Sequence, residues 1–130
     1  MPFTATQPVI AWIALGGAIG AVARYAMAGL VQRYTSPYFP YGTFAVNIAG
    51  CLAFGLIFGL TEHRFAISPA MRAFLLIGVL GGFTTFSSYT FESFQLLRDA
   101  QFLRASLNAA GQVFLGLLCF WIGYLANRWM

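Results

Sequence analysis

A run of hydroxyl side chains lies in the middle of an apolar stretch of this chain. Five of the seven residues from position 84 to position 90 are Ser or Thr, and Gly81 and Gly82 come shortly before them. This composition disfavours a continuous helix, because Ser and Thr side chains compete for the backbone hydrogen bonds and Gly permits unusual dihedral angles. A broken helix could hold a cation through its freed carbonyls and an anion at the start of its second half. The alternative is a kink whose polar groups neighbouring helices satisfy.

Amide side chains form a second group of hydrogen-bonding residues inside apolar segments. Asn47 lies one turn after Thr43, and Asn108 and Gln112 are also one turn apart. Because Asn and Gln are costly in lipid, we expect these helix faces to point inward. They could serve as interhelical hydrogen bonds, or they could line an ion path. Taken with the hydroxyl run, the pattern favours donors along a path.

Charged residues within the apolar segments are few and do not suggest catalysis. Arg24 can snorkel toward a headgroup or a carbonyl, and Glu92 can either pair with an Arg or sit at a pore mouth. The chain contains no HExxH, GxSxG or P-loop motif, so we expect that it is not an enzyme. The first, second and fourth apolar segments lack a carboxylate, which argues against proton-coupled export.

The composition indicates what surrounds these polar groups. Of 130 residues, 60% are hydrophobic and only 8% are charged. So few charges cannot cover a soluble globule, which excludes a soluble enzyme and a disordered chain. The net charge of +4 comes from seven scattered basic residues, all Arg, and their dispersal argues against a nucleic-acid partner. Membrane lipid is therefore the expected solvent.

Four apolar stretches are long enough to cross a bilayer, which takes roughly 20 residues of helix. They cover residues 9–30, 42–60, 71–97 and 105–126. Continuous apolar runs, rather than alternation, indicate helices. We therefore predict an all-α membrane protein with a single domain over residues 1–130. Its four transmembrane helices include a third that is broken near its middle.

Small residues recur on the first three predicted helices and favour close helix packing. They are Gly16, Gly17, Gly20 and Ala21 on the first, Gly50, Gly55 and Gly59 on the second, and Gly78 and Gly82 on the third. We interpret them as packing positions and not as evidence for a site.

The basic residues give little information on orientation. With four spans both termini lie on one side, and six of the Arg residues divide three against three between the two sides. The first side has Arg64, Arg72 and Arg128, and the other has Arg33, Arg98 and Arg104. Either a weak bias fixes one orientation, or copies insert both ways and form an antiparallel homodimer.

Three motifs occur in order along the chain. They are Gly16-Gly17-x-x-Gly20-Ala21-x-x-Arg24-Tyr25, Gly42-Thr43-x-x-Val46-Asn47-x-x-Gly50 and Gly81-Gly82-x-Thr84-Thr85-Phe86-Ser87. Together they resemble the Fluc (CrcB) family of bacterial fluoride channels, over essentially the whole chain, and the third motif is the most specific. The resemblance implies a multi-pass protein of the bacterial cytoplasmic membrane that exports fluoride passively. It also implies an antiparallel, dual-topology homodimer with two pores.

The resemblance implies roles for individual residues as well. Backbone carbonyls of Gly81 and Thr84 from both subunits would hold a structural Na⁺ at the dimer interface. Phe86 and Tyr89 match the two aromatic positions of the family's phenylalanine box, and the Tyr replaces a usual Phe and adds a hydroxyl. Asn47 matches the pore Asn. The expected ion pathway comprises Asn47, Phe86, Tyr89, Thr85, Ser87, Ser88, Asn108, Gln112, Arg24 and Glu92.

Two other functional classes remain as alternatives. A small dual-topology multidrug or cation exporter would also be short and apolar, but the first span lacks the membrane acid that such transport needs. A non-transporting scaffold subunit would explain the packing glycines and leave the polar residues unexplained. A fluoride path explains them, because closely spaced donors must replace the water around a strongly hydrated ion.

Overall fold

The structure, a computed structural model, describes residues 7–130, and this part of the chain is all-helical. Its elements are α1 (Gln7–Arg33), α2 (Tyr41–His63), α3 (Pro69–Arg72), a π-helical stretch (Ala73–Leu80), α4 (Gly81–Phe83), α5 (Phe86–Arg98) and α6 (Phe102–Ala126). The elements from α3 to α5 form one span, Pro69–Arg98, so the described residues contain four helical spans of membrane length and apolarity. The predicted all-α fold with an interrupted third span is confirmed.

The connector between α1 and α2 is held by one side chain. The Gln32 amide nitrogen donates to the carbonyls of Ser36 at 3.0 Å and Phe39 at 3.1 Å. Its amide oxygen accepts a hydrogen bond from the Gly42 backbone amide at 3.1 Å. Gln32 therefore fixes both the loop and the first turn of α2.

Specific backbone features mark the two ends of the third span. At its start the Ser68 hydroxyl accepts a hydrogen bond from the Met71 amide at 3.1 Å, and Pro69 occupies the first turn, where its missing N–H is not needed. At its end Ala100 takes a left-handed φ of 56°, and the Gln101 amide donates to the Leu96 carbonyl at 2.8 Å. This tight turn leads directly into α6.

Helix α1 packs backbone to backbone against the first half of the third span. A Cβ added to Gly16 would lie 2.5 Å from the Phe74 carbonyl oxygen and 3.0 Å from the Gly78 Cα. A Cβ added to Gly82 would lie 2.7 Å from the Gly17 carbonyl oxygen. Real Cβ atoms do not fit at such distances, so these glycines permit the close approach that the sequence predicted.

The glycines do not break the third span through unusual dihedral angles, contrary to our expectation. Gly81 has helical angles, φ −63° and ψ −37°, and no glycine within residues 7–130 has a positive φ. Gly78, Gly81 and Gly82 remain within helical turns. The break comes after them, so none of the three supplies backbone freedom, and Gly78 and Gly82 serve close packing.

Helices α2 and α6 form the other close pair. A Cβ on Gly55 would lie 2.9 Å from the Phe120 carbonyl carbon, and one on Gly123 would lie 2.8 Å from the Leu56 amide nitrogen. Near their shared end, the buried Asn127 amide donates to the Leu56 carbonyl at 3.1 Å. Small residues and one buried amide therefore join these two spans along their length.

Large apolar side chains cover the outside of the four spans. Val22, Phe114 and Leu117 are 69%, 71% and 66% exposed, while the buried apolar core contains few large residues. Exposed apolar surface of this extent suits contact with lipid or with another subunit.

We predict that Gly16→Ala destabilises the fold by about 1–3 kcal/mol, because the added methyl overlaps backbone atoms that cannot move independently. The measurement is thermal unfolding of the purified protein in detergent. Gly29→Ala is the matched control on the same helix, because its Cβ would enter open space. A Gly16→Ala variant that melts at or above the wild-type temperature would contradict the close packing.

Candidate functional site

Two extended residues break the third span between α4 and α5. Thr84 has φ −83° and ψ 157°, and Thr85 has φ −147° and ψ 114°. The Thr84 backbone amide and the Thr84 hydroxyl both donate to the Leu80 carbonyl at 3.0 Å, which closes the first half. The Thr85 hydroxyl accepts a hydrogen bond from the Ser88 amide at 3.2 Å, which caps α5.

The break frees the backbone carbonyls at the end of the first half, and those of Gly81 and Thr84 are among them. In a continuous helix the Thr85 and Ser88 amides would donate to the carbonyls of Gly81 and Thr84. The Thr85 amide instead donates to the Asn47 side-chain oxygen at 2.8 Å, and the Ser88 amide donates to the Thr85 hydroxyl. The carbonyls of Gly81 and Thr84 therefore lose their helical donors. They are the same two that the family resemblance assigns to sodium.

Asn47 on α2 supplies the hydrogen bonds that the broken backbone lacks. Its oxygen accepts from the Thr85 amide, and its nitrogen donates to the Thr85 carbonyl at 3.1 Å. The same nitrogen donates to the Gln112 side-chain oxygen on α6 at 2.7 Å. One amide thus joins α2, α6 and the start of α5, and an apolar residue could not replace it.

The amide residues of α6 continue this contact as a relay of hydrogen bonds. The Gln112 nitrogen donates to the Asn108 oxygen at 2.8 Å, and the Asn108 nitrogen donates to the Ser93 hydroxyl at 2.9 Å. The Ser93 hydroxyl donates to the Tyr89 carbonyl at 2.8 Å. Asn108 is fully buried and Gln112 is 7% exposed, so both point inward as the sequence predicted.

Ser93 is a member of this relay that the sequence analysis did not select. It lies beyond the hydroxyl run, one helical turn after Tyr89, and that helical spacing is the signal that could have identified it.

A cavity of about 340 Å³ lies beside the break. Its polar lining comes from Asn47, Thr84, Thr85 and Gln112, and aromatic rings from α2, α5 and α6 complete it. The aromatic residues are Phe54, Phe86, Tyr89 and Phe120. The structure therefore brings half of the predicted ion-path residues to one space.

Phe86 and Tyr89, at the two positions of the phenylalanine box, lie next to each other. Their ring centroids are 5.5 Å apart and their planes are tilted by 39°. Phe86 is 78% exposed within the subunit, so its ring edge is available to a neighbour or an ion. The Tyr89 hydroxyl donates to the Ala109 carbonyl on α6 at 2.7 Å. Within this subunit the additional hydroxyl therefore joins α5 to α6.

The hydroxyls at the start of α5 bond to one another. The Thr85 hydroxyl donates to the Ser88 hydroxyl at 3.0 Å, and the Ser87 hydroxyl lies 3.3 Å from the Thr85 hydroxyl. Ser87 is exposed and Ser88 is half-buried. Ser87 and Ser88 therefore belong to the first turn of α5, and neither of them lines the cavity.

Glu92 lies two turns farther along α5 and bonds across to α2. Its carboxylate accepts a hydrogen bond from the Thr43 hydroxyl at 2.7 Å, and its second oxygen is buried without a partner in the described residues. Neither ion pair found within residues 7–130 includes Glu92, so within the described subunit the alternative of an Arg partner has no support. Glu92 borders a second, more polar cavity of about 460 Å³ with Gln32 and Asp99.

Arg24 is the predicted path residue that the structure does not join to the others. It is half-exposed on α1, and no hydrogen bond or ion pair of the described chain links it to the amide relay.

Comparison with known proteins gives a family and close relatives. The family model described as CrcB-like protein, Camphor Resistance (CrcB), matches residues 11–124. A protein named fluoride-specific ion channel FluC from Nitratidesulfovibrio vulgaris (strain DSM 19637 / Miyazaki F) is 50% identical over 92% of this chain and 96% of its own length. Relatives of the same name from Nitrosococcus oceani and Flavobacterium psychrophilum are each 47% identical over 92% of this chain. The matched regions span 95% and 96% of the lengths of these two relatives, respectively.

We predict that Thr85→Val, which keeps the side-chain shape and removes the α5 cap, lowers the free energy of unfolding by about 1 kcal/mol. Thr85→Ser keeps the capping oxygen and should remain close to wild type. The measurement is thermal unfolding in detergent. Equal melting temperatures for the Val and Ser variants would show that the cap does not stabilise the break.

Proposed function

The chain belongs to the CrcB family, and on that premise we propose that this multi-pass bacterial membrane protein is a fluoride-specific channel. One structural observation carries the proposal beyond the family name. It is the broken third span, where amide side chains and four aromatic rings border a cavity in an otherwise apolar protein.

The few polar groups at the edge of this mainly apolar cavity suit a small, strongly hydrated anion. Fluoride accepts hydrogen bonds and donates none, so a path must offer donors at close spacing in place of water. Asn47 and Gln112 bring amide groups to the cavity, and Phe86 can present the positive edge of its ring. Export is passive, driven by the fluoride gradient and the membrane potential.

The working assembly is an antiparallel homodimer with two pores. Its support is the even division of the Arg residues, which favours insertion in both orientations. Phe86 and Gly81 are exposed within one subunit although they lie at the candidate site, and a second copy would cover them. The small apolar core of the single subunit also favours assembly.

A structural Na⁺ at the dimer interface fits the residues present. The carbonyls of Gly81 and Thr84 have lost their helical donors, and a hard cation prefers oxygen ligands of this kind. Within residues 7–130 no group of three His, Cys, Asp or Glu residues could hold a metal. When bound, the ion supplies positive charge near the anion path.

The test of the channel is fluoride efflux from liposomes that contain the purified protein, recorded with a fluoride electrode. Asn47→Ala and Phe86→Ile should each lower the initial rate by about tenfold or more, because each removes a group that lines the cavity. The dimer should persist on size-exclusion chromatography. Phe114→Ile is the matched control, since Phe114 is similarly exposed but lies outside the cavity lining.

Each alternative has its own outcome in this assay. Wild-type protein that releases no fluoride under an imposed gradient would refute the channel and favour a scaffold subunit. Movement of organic cations instead would favour an exporter. Wild-type rates in both Asn47→Ala and Phe86→Ile would refute the pore assignment alone.

Sodium gives a separate prediction on stability. Replacing Na⁺ by K⁺ at constant ionic strength should lower the melting temperature, because a ligand of the native state stabilises it in proportion to the logarithm of its concentration above Kd. Melting curves over a series of Na⁺ concentrations measure this effect. Identical curves in Na⁺ and K⁺ throughout the series would refute the ion site and leave the channel proposal intact.

A further inference from the structure

The two cysteines of the chain lie on facing helices. Cys51 is on α2 and Cys119 is on α6, and both thiols are free and half-buried. The Cys51 sulfur lies 3.3 Å from the position that a Cβ on Gly116 of α6 would take. Cys51 therefore points at α6.

Cys119 lies on the face of α6 that contacts α2. It follows Gly116 by three residues and precedes Gly123 by four, which is the spacing of one helical face. Both glycines contact α2, and a Cβ on Gly123 would lie 2.8 Å from the Leu56 amide nitrogen. Residues three apart on a helix have Cβ atoms roughly 5–6 Å apart, so Cys119 is one turn from the contact that Cys51 makes. The two thiols are near enough to interact electrostatically.

The Cys51 thiol also borders the cavity beside the break. Cys51 lines this cavity one helical turn after Asn47, and Phe120, the sequence neighbour of Cys119, lines it from α6. A thiol enclosed in apolar packing is inert, whereas a thiol at a cavity wall can be reached by a small solute. The pair of thiols is therefore accessible to an ion that enters the cavity.

A pair of thiols suits a soft monovalent cation. Thiolate sulfur selects soft ions such as Cu⁺, whereas a structural zinc takes four ligands. The only His of the chain, His63, lies at the far end of α2 and adds no ligand here. Two thiolates in a line complete the coordination of Cu⁺ or Ag⁺, so no third side chain is needed.

We propose that Cys51 and Cys119 form a two-thiolate site for a soft monovalent cation of the Cu⁺ or Ag⁺ class, and that its occupation slows anion passage through the adjacent cavity. On binding, each thiol releases its proton to solvent and its sulfur forms one bond to the cation, with no change in oxidation state. Two neutral thiols and one cation thus become a complex with one net negative charge, which repels an anion in a poorly solvated site. The binding site depends on the thiol geometry alone, and only its effect rests on the proposed channel function.

The binding test uses silver nitrate and the purified protein in detergent buffer without chloride, because chloride precipitates silver. Equilibrium dialysis with elemental analysis should find one tightly bound Ag⁺ per subunit. Cys51→Ala and Cys119→Ala should each weaken this binding by about 100-fold or more, because a single thiolate loses the advantage of two linked ligands. Wild-type affinity in either variant would overturn the proposed pair.

A second measurement uses only the wild-type protein. X-ray absorption at the silver edge should show two sulfur neighbours around the bound ion. One sulfur with nitrogen or oxygen neighbours would mean that the two thiols do not share an ion, and the site would be refuted.

Mixed assemblies test whether both thiols belong to one subunit. Coexpressed Cys51→Ala and Cys119→Ala subunits should bind no Ag⁺ tightly, because neither subunit holds both thiols. Recovery of tight binding in such assemblies would mean that the ion bridges two copies, which would overturn the site within one subunit.

The effect on the ion path is measured by fluoride efflux from proteoliposomes in nitrate buffer. Saturating Ag⁺ should lower the initial rate of the wild-type protein by about tenfold, the effect of a like charge near the path. Cys119 lies outside the cavity lining, so Cys119→Ala should keep the wild-type rate and lose its sensitivity to Ag⁺. Equal inhibition of both proteins would show that Ag⁺ acts elsewhere and would refute this effect.

The remaining outcomes separate the metal site from the channel. Ag⁺ that binds both thiols without slowing wild-type efflux would refute the effect on the path and support the site. Wild-type protein that releases no fluoride in the absence of silver would refute the proposed channel, and the dialysis and absorption results would still decide the metal site.

Discussion

A broken helix inside a membrane must have its backbone hydrogen bonds satisfied, and here one side chain does most of this. Each unpaired amide or carbonyl in lipid costs several kcal/mol, so extended residues such as Thr84 and Thr85 persist only if the protein supplies partners. Asn47 accepts from the Thr85 amide and donates to its carbonyl. The rest of the site depends on this pair of bonds, because without them the third span would be driven toward a continuous helix.

The same pairing explains why the break is central to the proposed sodium and fluoride sites. By accepting the Thr85 amide, Asn47 takes away the helical donor of the Gly81 carbonyl, and the Thr85 cap does the same to the Thr84 carbonyl. These carbonyls are the ligands proposed for sodium. The cavity beside the break also receives the amides of α2 and α6. Close packing of α1 against the first half of the span holds that half in place.

The sequence was sufficient to predict the four spans, because a continuous apolar run of that length almost always forms a transmembrane helix. It also predicted an interrupted third span and inward-facing Asn108 and Gln112, since polar groups cannot face lipid. Our prediction of the cause of the break was wrong. The spacing of glycines does not reveal whether they provide conformational freedom or allow close helix packing. The partners of Ser93 and of the Tyr89 hydroxyl were not predictable, because they lie on another helix or on backbone that only the fold brings near.

Amides and hydroxyls are both called polar, but they do different things in this relay. A hydroxyl can rotate to suit its neighbours, whereas an amide has its donor and acceptor on opposite arms and transmits an orientation. Asn47, Gln112 and Asn108 stand in series between a backbone N–H and, through Ser93, a backbone carbonyl. The direction in which the amides point is therefore set by the backbone at the break and along α5. Substituting a hydroxyl for any of these amides would keep a polar lining and lose that direction.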